Sequence, residues 1–420
     1  MTTQTTPAFT ITDVQTAAAR LRGVAFETPL QRHDRLSEAY GAHLWLKRED
    51  LQVVRSYKIR GAYNKMSTLT DAERAQGVVC ASAGNHAQGF AMACRRLGVR
   101  GTVFMPAPTP RQKITQVEMF GGDCIRVVLH GDTFDDAQRA AQALGDAEGL
   151  TFVPPFDDPR VIEGQATVGL EIMRHAPEPI DYLFLPVGGG GLSAGVGTLF
   201  RQMSPATRII GVEPAGAPAM HTSLARGERV VLDHIDTFVD GAAVRAVGAR
   251  NFELCRHCLD EVALVPEGRV CQTLLDLYNR DAIVAEPAGA LAIAALDDYR
   301  EQIRGKRVVC VVSGGNNDID RMAEVKERAL LYLGLKHYFI VKFPQRAGAL
   351  REFVTDVLGP HDDIVHFEYS KKTSRERGPA LVGVELRSPE DFEPLVARMK
   401  AASFYREYLN DRADLFQYLV

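Results

Sequence analysis

The pattern of hydrophobic and polar positions changes repeatedly between two periods along the first three quarters of the chain. Short apolar runs that end in a glycine-containing turn alternate with segments in which apolar residues recur every three or four positions, as in a helix. Such strand and helix pairs lie at 77–98, 101–122, 123–144 and 181–203, and further apolar runs lie at 208–216 and 306–317. The pattern predicts an α/β fold with mainly parallel open sheets, whose glycine-containing turns converge on one crevice.

The C-terminal part of the chain follows a different order. The pattern predicts a strand at 337–343, a helix at 348–358, strands at 364–371 and 379–387, and a helix at 389–402. This βαββα order is of the ferredoxin-like α+β type. We therefore predict a larger region at residues 1–334 and a separate small domain at residues 335–420, with the boundary near Gly334.

Composition narrows the class of function. The 420 residues are 46% hydrophobic and carry a formal net charge of −4, so nothing indicates a nucleic acid or a membrane surface as a partner. The N-terminal stretch lacks the pattern of a signal peptide and no run approaches the length of a membrane span, which favours the cytoplasm. One CxxC pair, Cys255 and Cys258, has no second ligand pair and is expected to be ordinary helix rather than a metal site. Small-molecule chemistry is therefore the expected function.

Four consecutive glycines at 188–191 follow an apolar run and open a helical pattern. Glycine lets the backbone approach a ligand closely, and the N–H groups at a helix N-terminus attract a phosphate. The sequence therefore predicts a phosphate site, and the absence of GxxxxGK[ST] disfavours a nucleoside triphosphate. A nicotinamide-dependent dehydrogenase is an alternative, because Gly189, Gly191 and Ala194 fit the degenerate dinucleotide pattern, and Glu213 follows near the position of a ribose-binding acid.

Lys58 lies in the basic stretch 52–65 and has two interpretations. Taken alone, it is more typical of a solvated helix lysine. A lysine that is desolvated beside other cations has a lowered pKa and a nucleophilic amine, which a cofactor with both a phosphate and an aldehyde requires. Tyr57 and Ile59 would supply the apolar surroundings, and Arg55 and Arg60 would supply the neighbouring charge.

Several motifs occur together in the order and spacing of a known family: "KREDLQVVRSYKIRGAYN", "ASAGNHAQG", "PVGGGGLSAG", "EPAGAL" and "VVSGGNND". They resemble the pyridoxal-phosphate enzymes of fold type II, the tryptophan synthase β-like enzymes, and most closely the biosynthetic threonine dehydratases (threonine ammonia-lyases). The resemblance covers roughly residues 20–330. It implies a two-lobed catalytic region with pyridoxal 5'-phosphate as cofactor, and the C-terminal domain resembles the ACT-like regulatory domain of the same enzymes.

The resemblance also implies roles for individual residues. Lys58 would hold the cofactor covalently and serve as the catalytic base, while Asn85 would face the ring hydroxyl and Ser313 the pyridine nitrogen. The phosphate would be held by Gly188, Gly189, Gly190, Gly191 and Leu192. The substrate carboxylate would lie at a strand-to-helix turn, where unpaired N–H groups suit an anion, formed by Ser82, Ala83, Gly84, Asn85 and His86. We expect a structural role for His86, and helix capping is an alternative for the polar residues of this turn.

The implied reaction is the β-elimination of water from L-threonine, which gives 2-oxobutanoate and ammonia in the first step of isoleucine biosynthesis. Serine would be a poorer substrate, because a methyl-sized pocket distinguishes the two by only about 1 to 3 kcal/mol. Isoleucine would inhibit the enzyme, valine would oppose isoleucine, and the chain would form a homotetramer. An inactive amino-acid sensor is a further alternative.

The effector is expected at the turn of the C-terminal domain that contains Pro344, Ala347 and Gly348, where glycine permits close approach of the backbone. A domain that only supports subunit pairing is the other interpretation of residues 335–420. No metal is expected, because Glu213 is followed by "PAGAPAM" without the second carboxylate of the metal-binding relatives.

Overall fold

The structure is a computed structural model, and it describes residues 9–369 and 377–412. Contacts between residues divide the chain into two compact units, Met1–Asp318 and Ile319–Val420. None of the helices within the described ranges combines the length and the apolar character that a membrane crossing requires.

The N-terminal unit alternates strands and helices. Its strands are β1 (Leu30–Arg32), β2 (His43–Arg48), β3 (Val78–Ala81), β4 (Gly101–Met105), β5 (Ile125–Leu129), β6 (Thr151–Phe152), β7 (Tyr182–Pro186), β8 (Arg208–Pro214), β9 (Glu261–Val265) and β10 (Arg307–Val312). Its helices are α1 (Ile11–Leu21), α2 (Asp34–Tyr40), α3 (Lys58–Ser67), α4 (Asp71–Gln76), α5 (Asn85–Leu97), α6 (Arg111–Gly121), α7 (Phe134–Glu148), α8 (Pro159–His175), α9 (Gly191–Met203), α10 (Ala219–Arg226), α11 (Ala249–Cys258), α12 (Glu267–Asp281) and α13 (Pro287–Ala294). Short 3₁₀ segments lie at Glu49–Leu51, Gly122–Cys124 and Ala295–Tyr299.

Two sheets form the framework of this unit. The larger sheet has the order β1-β2-β10-β7-β8-β9, and among its described strands β1 alone runs antiparallel to its neighbour. The smaller sheet has the order β5-β4-β3-β6 and its pairings are parallel. The central strands β3 and β10 are continuous apolar runs that are almost entirely buried, as expected for strands covered on both faces. The predicted two-lobed, mainly parallel α/β architecture is confirmed.

The predicted strand and helix pairs are β3 with α5, β4 with α6, β5 with α7, and β7 with α9. Local signals in the sequence set some of the helix starts. Thr133 accepts a hydrogen bond from the Asp136 N–H, and the Asp136 carboxylate accepts one from the Thr133 N–H, so α7 begins with a capping box. The strands β3, β7 and β10 end at Ala81, Pro186 and Val312, and a predicted site residue follows each of them within two positions.

Glycines bring the neighbouring helices α3, α8 and α9 into close contact. A Cβ atom on Gly164 of α8 would lie 2.6 Å from the carbonyl oxygen of Arg60 in α3. A Cβ atom on Gly195 of α9 would lie 2.5 Å from the carbonyl oxygen of Ile162 in α8. Because these neighbours are backbone atoms, they cannot move aside as a flexible side chain can. The three helices can therefore pack this closely only because Gly164 and Gly195 have no side chain.

A cluster of buried charged side chains lies at the start of α3. The Arg60 guanidinium donates to Glu49 at 2.8 Å and to Glu171 at 2.5 and 2.7 Å. Lys47 Nζ donates to Glu171 at 2.5 Å and to the carbonyl oxygen of Thr28 at 2.6 Å. Arg60, Lys47 and Glu49 are at most 1% exposed. Removing one partner from such a buried cluster costs about 3 to 5 kcal/mol, because it leaves a charge without compensation.

The C-terminal unit is an α+β fold. Its elements are α14 (Met322–Tyr332), β11 (Lys336–Pro344), α15 (Ala349–Glu352), β12 (Asp363–Tyr369), β13 (Arg377–Glu385), α16 (Phe392–Ala401) and β14 (Tyr405–Tyr408), with 3₁₀ segments at Ile319–Arg321 and Pro389–Asp391. The strands form an antiparallel sheet in the order β12-β13-β11-β14. Its core includes the buried residues Phe339, Phe353, Val382, Leu395, Met399 and Phe404. The ferredoxin-like prediction for this domain is confirmed.

Details of this unit differ from the sequence expectation. The chain continues past the second helix into β14, which the predicted βαββα order lacks, because this short strand is half polar and its pattern is weak. The predicted helix at 348–358 consists of α15 followed by a π-helical turn at Phe353–Val357. Residues 370 and 371 of a predicted strand lie outside the described residues. The predicted domain boundary near Gly334 follows α14, whereas the division by contacts precedes it, and the boundary stays a prediction.

We expect Gly164→Ala to lower the free energy of unfolding by about 1 to 3 kcal/mol, because the added methyl group overlaps the backbone of α3. Gly169→Ala in the same helix is the matched control. Its Cβ atom would lie 3.1 Å from a methyl carbon of Val196, a side-chain atom that can shift, and alanine favours a helix over glycine. Urea unfolding followed by circular dichroism compares the two variants. Equal stabilities would contradict the close contact between α8 and α3.

Candidate active site

Lys58 is the first residue of α3, and it is partly exposed, with its amine close to three other protein groups. Lys58 Nζ donates to the carbonyl oxygen of Pro155 at 2.9 Å. It also lies 5.4 Å from the ring centre of Tyr57 and 5.9 Å from that of Phe156. Helix α5 packs against the same turn, because a Cβ atom on Gly89 would lie only 3.0 Å from the backbone of Lys58. The amine therefore faces two aromatic rings and a carbonyl group.

Burial in these surroundings lowers the pKa of Lys58 to about 8, while the nearby Glu286 carboxylate acts in the opposite direction. About a tenth of the amine is then unprotonated at pH 7, far more than for a solvated lysine with its pKa near 10.4. The predicted contribution of positive neighbours is not found. Arg60 is neutralised by the buried carboxylates of its cluster, and Arg55 is exposed. Desolvation makes this lysine nucleophilic.

The start of α3 is bonded to the end of β10, where Ser313 lies. The Tyr57 N–H donates to the carbonyl oxygen of Ser313 at 3.2 Å, and the Gly315 N–H donates to that of Arg55 at 2.9 Å. The Ser313 side chain is buried, and its hydroxyl donates to the carbonyl oxygen of Ala288 at 3.3 Å. The structure thus brings together two predicted site residues that are far apart in the sequence.

The carbonyl groups of the glycine run are hydrogen-bonded to neighbouring segments, which leaves the following N–H groups on the opposite side of the run. The Gly189 carbonyl accepts from the Gly248 N–H at 3.1 Å and from Asn251 Nδ2 at 2.8 Å, while the Gly190 carbonyl accepts from the Ala194 N–H of α9 at 2.8 Å. In a planar trans peptide the N–H points opposite to the carbonyl, so the N–H groups that follow these carbonyls face the other side. Gly190 has a φ of 91°, which favours glycine. Together with the N-terminus of α9, these groups suit a phosphate.

Packing gives a second reason for glycine at these positions. A Cβ atom on Gly188 would lie 2.9 Å from the Cα atom of Ala242, and one on Gly189 would lie 2.2 Å from Cδ1 of Phe156. The contact with Phe156 is a reason for glycine at position 189 that is independent of phosphate binding. Leu192, the last residue of the predicted phosphate site, is buried in the first turn of α9.

The segment that holds Phe156 also fixes several other elements. The Pro155 carbonyl accepts from Lys58. The Asp157 carboxylate accepts from three N–H groups at the start of α11 at 3.0 to 3.3 Å. Asp158 caps α8 and forms an ion pair with Lys65 of α3 at 2.9 Å. Sequence reasoning missed this segment. Asp158 before Pro159 is a recognisable helix-start signal, but nothing in the sequence shows that Asp157 caps a helix more than ninety positions away.

The turn after β3 contains the predicted carboxylate site. The Ser82 N–H donates to the carbonyl oxygen of Phe104 at 3.0 Å, and the Ser82 hydroxyl accepts from the Gly84 N–H at 3.2 Å. Ser82, Ala83, Gly84 and Asn85 are each partly exposed, so a ligand can reach them. The turn leads directly into α5, whose first N–H groups lack intrahelical acceptors.

His86 differs from the rest of this turn because it is buried. Its Nε2 atom lies 2.9 Å from the carbonyl oxygen of Val153. Burial lowers the pKa of His86 to about 3, and the nearby Lys58 amine acts in the same direction. The ring is therefore neutral at neutral pH, and Nε2 donates its proton to the carbonyl group. This contact supports the expected structural role.

Asn85 is hydrogen-bonded on both sides of its amide. Its Nδ2 donates to Glu286 Oε1 at 2.6 Å, and its Oδ1 accepts from Asn316 Nδ2 at 2.7 Å. Burial raises the pKa of Glu286 to about 7, the charge of Asp240 acts in the same direction, and the hydrogen bond from Asn85 opposes them. Neither Glu286 nor Asn316 was predicted as a site residue, although each lies in one of the family motifs, "EPAGAL" and "VVSGGNND". These two motifs are the signals that could have identified them.

Glu213 has a different environment from the one that a dinucleotide requires. Its carboxylate accepts from the N–H groups of Met220 and His221 at 2.7 and 2.8 Å, at the start of α10. Burial raises the pKa of Glu213 to about 7. Its oxygens thus accept hydrogen bonds from the N-terminus of α10. Within residues 9–369 and 377–412, no cluster of His, Cys, Asp and Glu side chains is arranged to hold a metal ion.

Comparison with known families decides between pyridoxal phosphate and a nicotinamide dinucleotide as the bound cofactor. Residues 21–314 match the model of the pyridoxal-phosphate dependent enzyme family, and residues 327–419 match that of the C-terminal regulatory domain of threonine dehydratase. The chain belongs to the pyridoxal-phosphate dependent enzyme family. Membership in this family confirms the predicted cofactor, and the nicotinamide alternative has no support.

Relatives and solved structures of this pyridoxal-phosphate dependent enzyme agree with the family match. The biosynthetic L-threonine dehydratase of Bacillus subtilis (strain 168) is 55% identical over 96% of this chain and 96% of its own length. The processed form of threonine deaminase isoform 2 from Solanum lycopersicum is 43% identical with a TM-score of 0.73, over 78% of this chain and 94% of that one. The serine racemase of Dictyostelium discoideum is 30% identical with a TM-score of 0.69, over 74% of this chain and 100% of that one.

The residues around Lys58 and the glycine run fit the cofactor. The desolvated Lys58 amine suits its aldehyde, and the N–H groups of the glycine run suit its phosphate. The Ser313 hydroxyl can donate or accept a hydrogen bond at a ring nitrogen. Asn85 retains a second N–H for a ring oxygen. These assignments of individual residues remain predictions.

We expect the rate at which the cofactor-free chain takes up pyridoxal phosphate to rise with pH and to level off above the Lys58 pKa of about 8. Only the unprotonated amine reacts, so the rate should rise by about tenfold per pH unit below that pKa. Stopped-flow absorbance measures this uptake. A rate that continues to rise beyond about pH 10, as for a solvated lysine, would contradict the desolvation of Lys58.

We expect Gly189→Asn and Gly189→Asp to weaken cofactor binding by different amounts. Both side chains collide with Phe156, but the aspartate also places a negative charge beside the proposed phosphate. We expect a loss of about 10-fold for asparagine and at least about 10-fold more for aspartate. Titration of the cofactor-free variants with pyridoxal phosphate measures both losses. Equal losses would mean that the phosphate does not lie at the glycine run.

Proposed function

We propose that the chain is an L-threonine dehydratase that converts L-threonine to 2-oxobutanoate and ammonia, the first step of isoleucine biosynthesis, in the cytoplasm. The observation that carries the proposal is the Lys58 amine, with a pKa of about 8, beside the Phe156 ring that also lies against Gly189 of the glycine run. The relative from Bacillus subtilis, named a biosynthetic L-threonine dehydratase, supports threonine as the substrate.

The chain contributes a base and a site for the substrate carboxylate. Bound pyridoxal phosphate supplies an electron-withdrawing ring that acidifies the C–H bond next to the substrate amino group. Lys58 Nζ accepts the proton of that C–H bond, a role that suits an amine with a pKa close to neutrality. The N–H groups of the turn at residues 82–86 bind the substrate carboxylate. Loss of the β-hydroxyl as water, followed by hydrolysis, gives the 2-oxo acid and ammonia.

The surroundings of Lys58 also restrict water. The rings of Tyr57 and Phe156 lie within 6 Å of Nζ. Their apolar faces keep the amine from being hydrated and hence protonated. An apolar wall beside the base also suits the methyl group that distinguishes threonine from serine.

We expect kcat/KM for threonine to exceed that for serine by about 10- to 200-fold, because a buried methyl group contributes about 1 to 3 kcal/mol. A coupled assay of the 2-oxo acids measures both substrates. In the same assay, Lys58→Ala should abolish nearly all turnover, whereas the control Lys65→Ala, in the same helix, should retain it. Turnover by Lys58→Ala would contradict the role of Lys58, and equal kcat/KM values would contradict threonine as the preferred substrate.

We further propose that residues 335–420 form a regulatory domain that binds isoleucine as an inhibitor, with valine as an opposing ligand, in a homotetramer. The turn between β11 and α15 supports an effector site. Ala347 and Gly348 are exposed, and Gly348 has a φ of 86°. The buried Nε2 of Gln345 has no hydrogen-bond acceptor among the described residues, so it can donate to a ligand. Isoleucine must bind a less active conformation more tightly than the active one in order to inhibit.

We expect Ala347→Trp to weaken inhibition by isoleucine without lowering threonine turnover in its absence, because the indole occupies space beside the turn. Glu390→Trp, also at an exposed position of the same unit, is the control. Titration of isoleucine against threonine turnover gives the midpoint of inhibition, which should rise at least about 5-fold for Ala347→Trp alone. An unchanged midpoint would contradict the effector site at Pro344, Ala347 and Gly348.

A further inference from the structure

The side-chain amides of Asn316 and Asn85 have a fixed orientation, because a chain of hydrogen bonds connects them to the backbone carbonyl group of Val54. Asn316 Nδ2 donates to the carbonyl oxygen of Val54 at 2.9 Å and to Asn85 Oδ1 at 2.7 Å. A carbonyl oxygen can only accept, so the nitrogen side of the Asn316 amide must face Val54 and Asn85. Asn85 must then turn its oxygen to Asn316 and its nitrogen to Glu286 Oε1, at 2.6 Å. Hydrogen bonding therefore fixes which atom of Asn85 is the donor.

This orientation leaves one group of Asn85 available. Nδ2 carries two N–H groups, and Glu286 accepts one of them. The other N–H has no acceptor among the residues that the structure describes. Asn85 is partly exposed at the start of α5, in the turn that also forms the proposed carboxylate site. The second N–H can therefore reach a bound ligand.

We propose that Glu286 is a positioning residue for the cofactor, which holds Asn85 Nδ2 so that the second N–H of this atom is directed to the ring oxygen of pyridoxal phosphate. The inference rests on the proposed assignment of Asn85 to that oxygen. Without an acceptor at position 286, the Asn85 amide loses the bond that sets its angle. A hydrogen-bond donor to a cofactor is effective only when its direction is set in advance.

The structure also keeps the Glu286 carboxylate in one place. The carboxylate is buried, and its Oε1 accepts from Asn85 Nδ2 at 2.6 Å. The backbone N–H of Glu286 itself donates to the carbonyl oxygen of Gly314 at 3.1 Å. A Cβ atom on Gly314 would lie 2.3 Å from Oε1, so glycine at 314 leaves the space that the carboxylate occupies.

The acceptor role holds in either charge state of Glu286. A carboxylate and the carbonyl oxygen of a protonated carboxyl group both accept from an amide N–H. The charged groups that act on Glu286 or feel its charge are Lys58, Lys113 and Asp240. If Glu286 acts only by positioning Asn85, glutamine at position 286 should preserve cofactor binding, because it has nearly the same shape and an acceptor oxygen but no charge.

A double-mutant cycle tests the inference on the affinity of the cofactor-free chain for pyridoxal phosphate, with no need for turnover. Asn85→Ala and Glu286→Leu should each weaken binding by about 10-fold, because each removes one hydrogen bond or its geometry. The double variant should bind as Asn85→Ala alone does, about 10-fold tighter than the product of the two losses, because Glu286 acts through Asn85. Glu286→Gln should stay within about 3-fold of the wild type.

Two results would overturn the inference. If the losses multiply in the double variant, Glu286 does not act through Asn85. If Asn85→Ala binds as the wild type does, the assignment of Asn85 to the cofactor fails, and the inference fails with it. Threonine turnover of the wild type is measured separately, so failure of the proposed activity remains distinguishable from failure of either step.

Matched variants separate positioning from a loss of structure. Glu213→Gln changes another buried glutamate with a raised pKa, and its effect should multiply with that of Asn85→Ala because Glu213 contacts α10 instead. Circular dichroism and the thermal midpoint of each cofactor-free variant report its folding. If Glu286→Leu does not fold, Gly314→Ala replaces it in the cycle, since its methyl group displaces the carboxylate, and the same two results decide.

Discussion

The position of Lys58 depends on a set of buried charges that cannot be removed one at a time without leaving another uncompensated. Arg60 lies two residues after Lys58 in α3, and its guanidinium is buried between Glu49 and Glu171. Each of these charges is tolerable away from water only while the others remain in place. A shift of α3 would leave a cation or a carboxylate uncompensated. The close glycine contacts with α5 and α8 restrict the helix from other sides, so Lys58 starts from a backbone that has little freedom to move.

On this fixed backbone, neighbouring segments control the chemistry of the amine. The end of β10 is bonded to the turn before Lys58, and residues 155–158 join that amine, the glycine run and the helices α8 and α11. The two rings beside Nζ remove water, which lowers the pKa of the lysine by desolvation. The cleft is therefore assembled from parts of the chain that are distant in sequence and held by short polar contacts.

The sequence predicted the parts of this arrangement that rest on local pattern. Apolar runs followed by amphipathic segments identified four strand and helix pairs, from β3 with α5 to β7 with α9, and the apolar runs at β8 and β10. The parallel strands β2, β6 and β9 were not predicted. The glycine run after β7 indicated an anion site. The partners of Lys58 could not be found in this way. Arg60 lies two residues after Lys58, yet its charge is neutralised by Glu171, 111 positions away from Arg60. The cap that Asp157 provides for α11 and the contact of Phe156 with Gly189 likewise exist only after folding. The strand β14 was not predicted, because it is short and half of its residues are polar.

The buried His86 ring makes the fold sensitive to acid. Folding holds its pKa at about 3, whereas in the unfolded chain the ring takes up a proton below about pH 6.5. Below that pH the unfolded state therefore binds more protons than the folded state. As the pH is lowered, the free energy of unfolding falls by about 1.4 kcal/mol for each pH unit until the folded pKa is reached. Because His86 lies in the first turn of α5 and donates to the carbonyl oxygen of Val153 beside the smaller sheet, acid should loosen the lobe that carries the turn at residues 82–86. This buried histidine thus limits the acidity at which the site around Lys58 can remain assembled.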